Sequence, residues 1–157
     1  MEHESRTVEI RFESDAERMS PGRLVGVLLP YGERASDRPE VFEAGALHWP
    51  ADGVLLRAMH KRQDPIARFI PEATETEVRV SIELPDTTAG RDAATNVRAG
   101  VLRGLSVEFR AEKETRRDGL RVIQRARLVG AGLVDSGAYS GATVEARGKA
   151  KRRRLWL

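Results

Sequence analysis

Ser106 and Glu108 stand two residues apart in the segment Gly104-Leu105-Ser106-Val107-Glu108-Phe109, and His60 lies forty-six residues upstream. On a strand, residues i and i+2 share a face, so the hydroxyl and the carboxylate point the same way while Leu105, Val107 and Phe109 point to a core. A serine hydroxyl is a poor nucleophile until a base takes its proton. An imidazole, with an ordinary pKa of about 6.5, can accept that proton near neutrality and return it to a leaving amine. An exposed Ser106 beside His60 is thus the minimum kit for acyl transfer. The same alternation also describes an ordinary strand with a polar outer face.

Other residues of these types are less well placed. His3 sits in a charged terminus and His48 adjoins Trp49 and Pro50, whereas His60 ends the expected strand Val54–His60 and opens onto the polar loop Lys61-Arg62-Gln63-Asp64. Ser81 lies in an alternating strand, and Ser136 and Ser140 in a Gly-containing loop after Asp135. A Ser–His pair normally needs a third group to orient the imidazole. Glu108, about 7 Å along the strand from Ser106, and Asp135 are candidates, and a bare dyad is the third option. Backbone amides near Gly100, Arg103 and Gly104, or near Gly130 and Gly132, are candidates for an oxyanion hole.

Several chemistries are excluded by composition. The 157 residues contain no cysteine, so there is no thiol nucleophile, disulfide or Cys-ligated zinc. No His-Glu-x-x-His and no phosphate loop occurs, and Gly100-Val101-Leu102-Arg103-Gly104 lacks the lysine and hydroxyl that such a loop needs. No cofactor is expected. No apolar run approaches the roughly twenty residues of a membrane span, and the N-terminus Met1-Glu2-His3-Glu4-Ser5-Arg6 has no apolar signal region. A soluble chain, cytoplasmic absent other routing, is the expectation, and the lack of cysteine is compatible with a reducing compartment.

The net charge of +3 is a property of one end. Six of the 27 Lys and Arg lie from Arg147 onward, and the remaining 21 stand against 24 Asp and Glu. Residues 147–157 read as a basic, flexible tail, through which weak nucleic-acid contact is conceivable. Residues 1–146 read as one domain.

The elements that must position these groups read mainly as strands. Thr7–Glu13 alternates, Leu24–Leu29 suits a strand covered on both faces, and Val54–His60, Ile66–Ile70 and Glu77–Leu84 follow. The last two are expected to form an antiparallel hairpin. Glu40–Leu47 is expected as a short helix and Thr88–Arg98 as a longer one, capped by Asp86 or Thr87 and stopped at Gly100. Leu102–Glu112 carries Ser106, Asp118-Gly119 signals a hairpin turn, and Leu120–Val134 returns as one long or two short strands. The fold class expected is mainly β (α+β), a small antiparallel barrel.

Six segments in order, Leu24–Gly32, Glu40–Leu47, Val54–His60, Pro65–Arg68, Gly100–Phe109 and Gly132–Tyr139, give a chain that resembles the tailed-bacteriophage prohead (capsid maturation) serine proteases from about Arg23 to Glu145. That resemblance implies a β-barrel flanked by helices, like the herpesvirus assembly proteases, with His60 as base and Ser106 as nucleophile. It also implies a serine endopeptidase of phage or prophage origin that cleaves scaffold or the delta segment of the major capsid protein, and itself. Such an enzyme would self-associate in the assembling procapsid in the host bacterial cytoplasm, and self-cleavage could remove the tail. Many relatives carry an acid in the strand Leu128–Val134, where this chain has glycine. That departure moves the third role to Glu108, which is favoured, or to Asp135. A non-catalytic capsid-assembly barrel and a small nucleic-acid-binding barrel are the rival readings. The latter is disfavoured by the scarcity of aromatics on the strands.

Overall fold

The computed structural model describes residues 4–13, 20–135 and 146–147. Eleven strands and one helix follow in order: β1 (Glu4–Glu13), β2 (Arg23–Pro30), β3 (Glu40–Phe42), β4 (Leu47–His48), β5 (Val54–Ala58), β6 (Pro65–Phe69), β7 (Glu72–Ala73), β8 (Glu77–Glu83), α1 (Thr88–Arg98), β9 (Gly104–Arg117), β10 (Leu120–Val134) and β11 (Ala146–Arg147). The hydrogen-bonded path runs β6-β5-β10-β9-β1-β2-β8-β7, with β3 and β4 beside β10 and β11 beside β1.

Mainly β is the observed class, but the expected closed antiparallel barrel is corrected. The path is open at both ends, although the sheet curls enough for β6 to approach β8 without a ladder between them. Pairing is mixed, because β3, β4 and β5 all run parallel to β10. One helix, not two, is found among the described residues. Glu40–Leu47 is β3, a turn and β4, because Gly45 at φ +78° breaks the segment and both halves pair with β10. The expected β6–β8 hairpin is absent as well: β6 pairs with β5, while β8 pairs with β2 and β7.

The longest ladder is the β9–β10 hairpin, turned at Asp118 (φ 52°) and Gly119 (φ 79°). Two successive positive φ values match the right-handed twist of the flanking strands, and Asp-Gly tolerates them. Its inner face packs Leu105, Val107, Phe109, Leu128, Ala131 and Leu133 into the core. There Phe42 meets Phe109 edge-on, with centroids 5.0 Å apart. β8 buries Val78, Val80 and Ile82 and exposes the residues between them, as its alternation predicts. β2 is less enclosed than expected, since Val25, Gly26 and Val27 are only half-buried.

α1 closes one end of the curled sheet against β6 and β1. Thr87 is its N-cap, accepting from the Gly90 amide at 3.0 Å. Ala99 is the C-cap and Gly100 follows at φ +74°, letting the Val101 amide reach back to the Asn96 carbonyl. Gly90, Ala93, Ala94 and Val97 form its buried face.

Candidate active site

β9 places Ser106 opposite Gly132 of β10, and Glu108 opposite Gly130. Direct cross-strand partners point to the same face with Cβ positions about 5 Å apart. Ser106 and Glu108 therefore share the outer face with two glycines beside them, and the bare backbone leaves room for another chain segment to lie on the sheet.

His60 fills that room. β5 runs beside β10 with Arg57 opposite Gly132 and Ala58 opposite Leu133. The expected strand over Val54–His60 ends at Ala58; the Met59 amide donates to the Leu133 carbonyl at 2.9 Å, and the chain then turns. Met59 and His60 both take positive φ, 49° and 60°. Left-handed backbone at two consecutive non-glycine residues is unfavourable, and here it swings the His60 ring across the strand. A Cβ built on Gly132 would lie 2.5 Å from His60 Cε1 and 2.7 Å from each ring nitrogen. The imidazole thus occupies the place where a side chain opposite Ser106 would stand.

His60 Nδ1 is 2.5 Å from Glu108 Oε1. With Nδ1–H donating to the carboxylate, Nε2 is left as an acceptor. The His60 side chain remains 27% exposed and Glu108 14%, so the pair lies at the edge of the sheet face rather than sealed beneath it. Ser106 differs from the expectation of an exposed serine: the residue is 1% exposed. It is flanked by β1 and β10, backed by the core, and His60 lies over its cross-strand neighbour.

The three residues expected from the sequence are brought to one sheet face. Asp135 is not part of that group: it is exposed beyond the end of β10, and the ring hydrogen bond goes to Glu108. Two amides considered for an oxyanion hole are spent, since Gly100 N–H donates to the Val97 carbonyl and Arg103 N–H to that of Val134. His48 pairs instead with Glu112, Nε2 to Oε1 at 2.6 Å, and this contact is the main reason the Glu112 carboxyl is held below its ordinary range. Ser136, Ser140 and the basic tail from 148 onward lie outside the described residues.

Sequence reasoning missed two contributors. Gly132 forms the seat for the ring, and Arg57 brings Nη1 within 3.6 Å of the position a Cβ on Gly130 would take, beside Glu108 Oε2 at 3.5 Å. The one available signal was the pair of glycines inside a strand, which marks close approach of another group. No cluster able to hold a metal ion occurs among the described residues. No helix there is long and apolar enough to cross a membrane.

A serine, a histidine and a carboxylate gathered on one sheet face are the groups that acyl transfer uses. The chain belongs to the caudovirus prohead serine protease family, whose model matches residues 39–154. The structure of the bacteriophage T4 capsid assembly protease gp21 is similar at 14% identity and a TM-score of 0.48, over 84% of this chain and 97% of that chain. No curated protein sequence matches.

Proposed function

We propose that this protein is a serine endopeptidase of capsid maturation. In this reading it cleaves scaffold protein or the delta segment of the major capsid protein, and itself, inside the assembling procapsid of the host cell. The observation that carries it is the His60–Glu108 contact of 2.5 Å, with the ring seated on Gly132 opposite Ser106. Family membership supports the reaction class; the substrates are inferred from it, as is a likeness to the herpesvirus assembly proteases.

Ser106 Oγ attacks the scissile carbonyl while His60 Nε2 takes the hydroxyl proton. Glu108 receives the Nδ1–H hydrogen bond, holds that tautomer and stabilises the imidazolium. The C–N bond breaks as His60 passes the proton to the departing amine, leaving an ester on Ser106. Water then attacks the ester with its proton going to His60, and the released Ser106 takes that proton back. No cofactor enters. Confinement with the capsid protein raises the effective concentration of substrate, so a slow enzyme suffices.

The test is co-expression with the neighbouring major capsid protein, comparing wild type and Ser106→Ala by intact mass. Shortened capsid protein in the wild type and full-length protein in the variant is the expected result. Identical cleavage in both removes Ser106 from the mechanism. Full-length protein in both favours the rival, a non-catalytic assembly module.

A further inference from the structure

Arg57, Arg68, Arg110 and Arg127 line one cavity of about 340 Å³ on the sheet, together with residues of the 50–55 loop and strand and with Leu128 and Val129. Several arginines elsewhere pair with acids: Arg23 with Glu83, Arg79 with Glu77, and Arg121 with three glutamates. The four in this cavity make no ion pair among the described residues. The Nε atoms of Arg57 and Arg110 are buried with no hydrogen-bond partner. Arg110 and Arg127 are direct cross-strand partners, an arrangement in which like charges destabilise the sheet. Four guanidinium groups gathered without a counter-ion among the described residues form a setting suited to an anion.

The cavity adjoins the proposed catalytic group. Arg110 is two residues from Glu108 on the same strand face, and Arg57 reaches the Gly130 position beside Glu108 Oε2. Neighbouring carboxylates are engaged elsewhere, Glu108 with His60 and Glu112 with His48 and Arg125. A polypeptide lying across Ser106 along this sheet face would bring a nearby side chain over the arginines.

We propose that this arginine-lined cavity is the subsite that receives an acidic side chain of the polypeptide substrate. The proposal rests on reading Ser106 and His60 as a peptidase site. Arginine forks match a carboxylate bidentately, and the half-buried setting of Arg57 and Arg110 strengthens each bond relative to a solvated pair.

The experiment uses the full chain carrying Ser106→Ala, so that binding is read without cleavage. A short labelled peptide with two glutamates and its glutamine counterpart are titrated by fluorescence anisotropy. The acidic peptide should bind about tenfold more tightly or better, the gain expected of a charge-assisted hydrogen bond. Adding Arg68→Gln and Arg127→Gln, both at exposed positions, should cut that preference by about threefold or more, leaving what Arg57 and Arg110 supply. Equal binding before the arginines are changed overturns the proposal, as does a preference left unaltered by the two substitutions. Displacement of the peptide by a single-stranded oligonucleotide that binds more tightly also overturns it, in favour of a nucleic-acid site. Failure of the peptidase reading is seen separately, as full-length capsid protein beside the unmutated chain.

Discussion

The imidazole of His60 rests on the bare face of Gly132, so closely that a single methyl group there would fall 2.5 to 2.7 Å from three ring atoms. A histidine ring is usually held by what it touches at its edges. Here its position is also set by a side chain that is missing.

Gly132→Ala should therefore displace the ring. Capsid-protein cleavage should fall by about two orders of magnitude or more, since misplacement by an ångström is enough for that loss. Far-ultraviolet circular dichroism should be unchanged. Gly130→Ala is the matched control: its Cβ would meet Glu108, Arg57 and Leu55 at 3.5 to 3.6 Å, ordinary contact. Activity within a few-fold of wild type is expected, and equal damage from both variants would contradict the role given to Gly132.

Glu108→Gln keeps the shape and removes the charge. Loss of the orienting carboxylate should lower kcat by roughly 10²–10⁴, with KM little changed. Asp135→Asn should leave cleavage unaltered, because Asp135 is exposed beyond the end of β10. The reverse ranking, measured on the same substrate, would return the third role to Asp135.

Arg121 ties β10 to three glutamates, Glu4, Glu40 at 3.1 Å and Glu114 at 2.8 Å, and Glu40 is 1% exposed. Arg121→Met should destabilise the fold by about 3 kcal/mol at neutral pH, because it removes a main partner of a buried carboxylate. The Arg121 hydrogen bond also holds the Glu114 carboxyl below its ordinary range. A depressed folded pKa contributes stability above the unfolded value and loses it as pH falls through the folded one. The stability gap between wild type and Arg121→Met should thus be widest above about pH 5 and narrow toward pH 3, as chemical denaturation across that range would show.

The seat of α1 gives a test of the scaffold away from the site. A Cβ on Gly90 would stand 2.0 Å from the Pro85 carbonyl oxygen, a backbone contact that cannot yield cheaply. Gly90→Ala should lower Tm by several degrees or more. Thr87→Ala, which removes only the cap to the Gly90 amide, should cost about 1 kcal/mol. A larger loss at Thr87 than at Gly90 would overturn this order.

Alternation and local capping chemistry made much of the chain legible. The period of two in Glu77–Leu84 marked the buried valines of β8, Asp118-Gly119 marked the hairpin, and Asp86 or Thr87 (the structure uses Thr87) with Gly100 bounded α1, because each of these signals acts within a few residues. The shared face of Ser106 and Glu108 follows from strand geometry alone. Glu40–Leu47 misled for the converse reason: its helical spacing is overridden by pairing with β10, a partner some eighty residues away. Tertiary structure alone decided that β5 lies parallel to β10, that the Met59–His60 turn carries the ring across that strand, and that Gly132 leaves space to receive it. Likewise it brought together arginines of four different strands. Local sequence specifies which way a side chain points from its own strand. Which strands become neighbours depends on burying a common core, and that is a property of the whole chain.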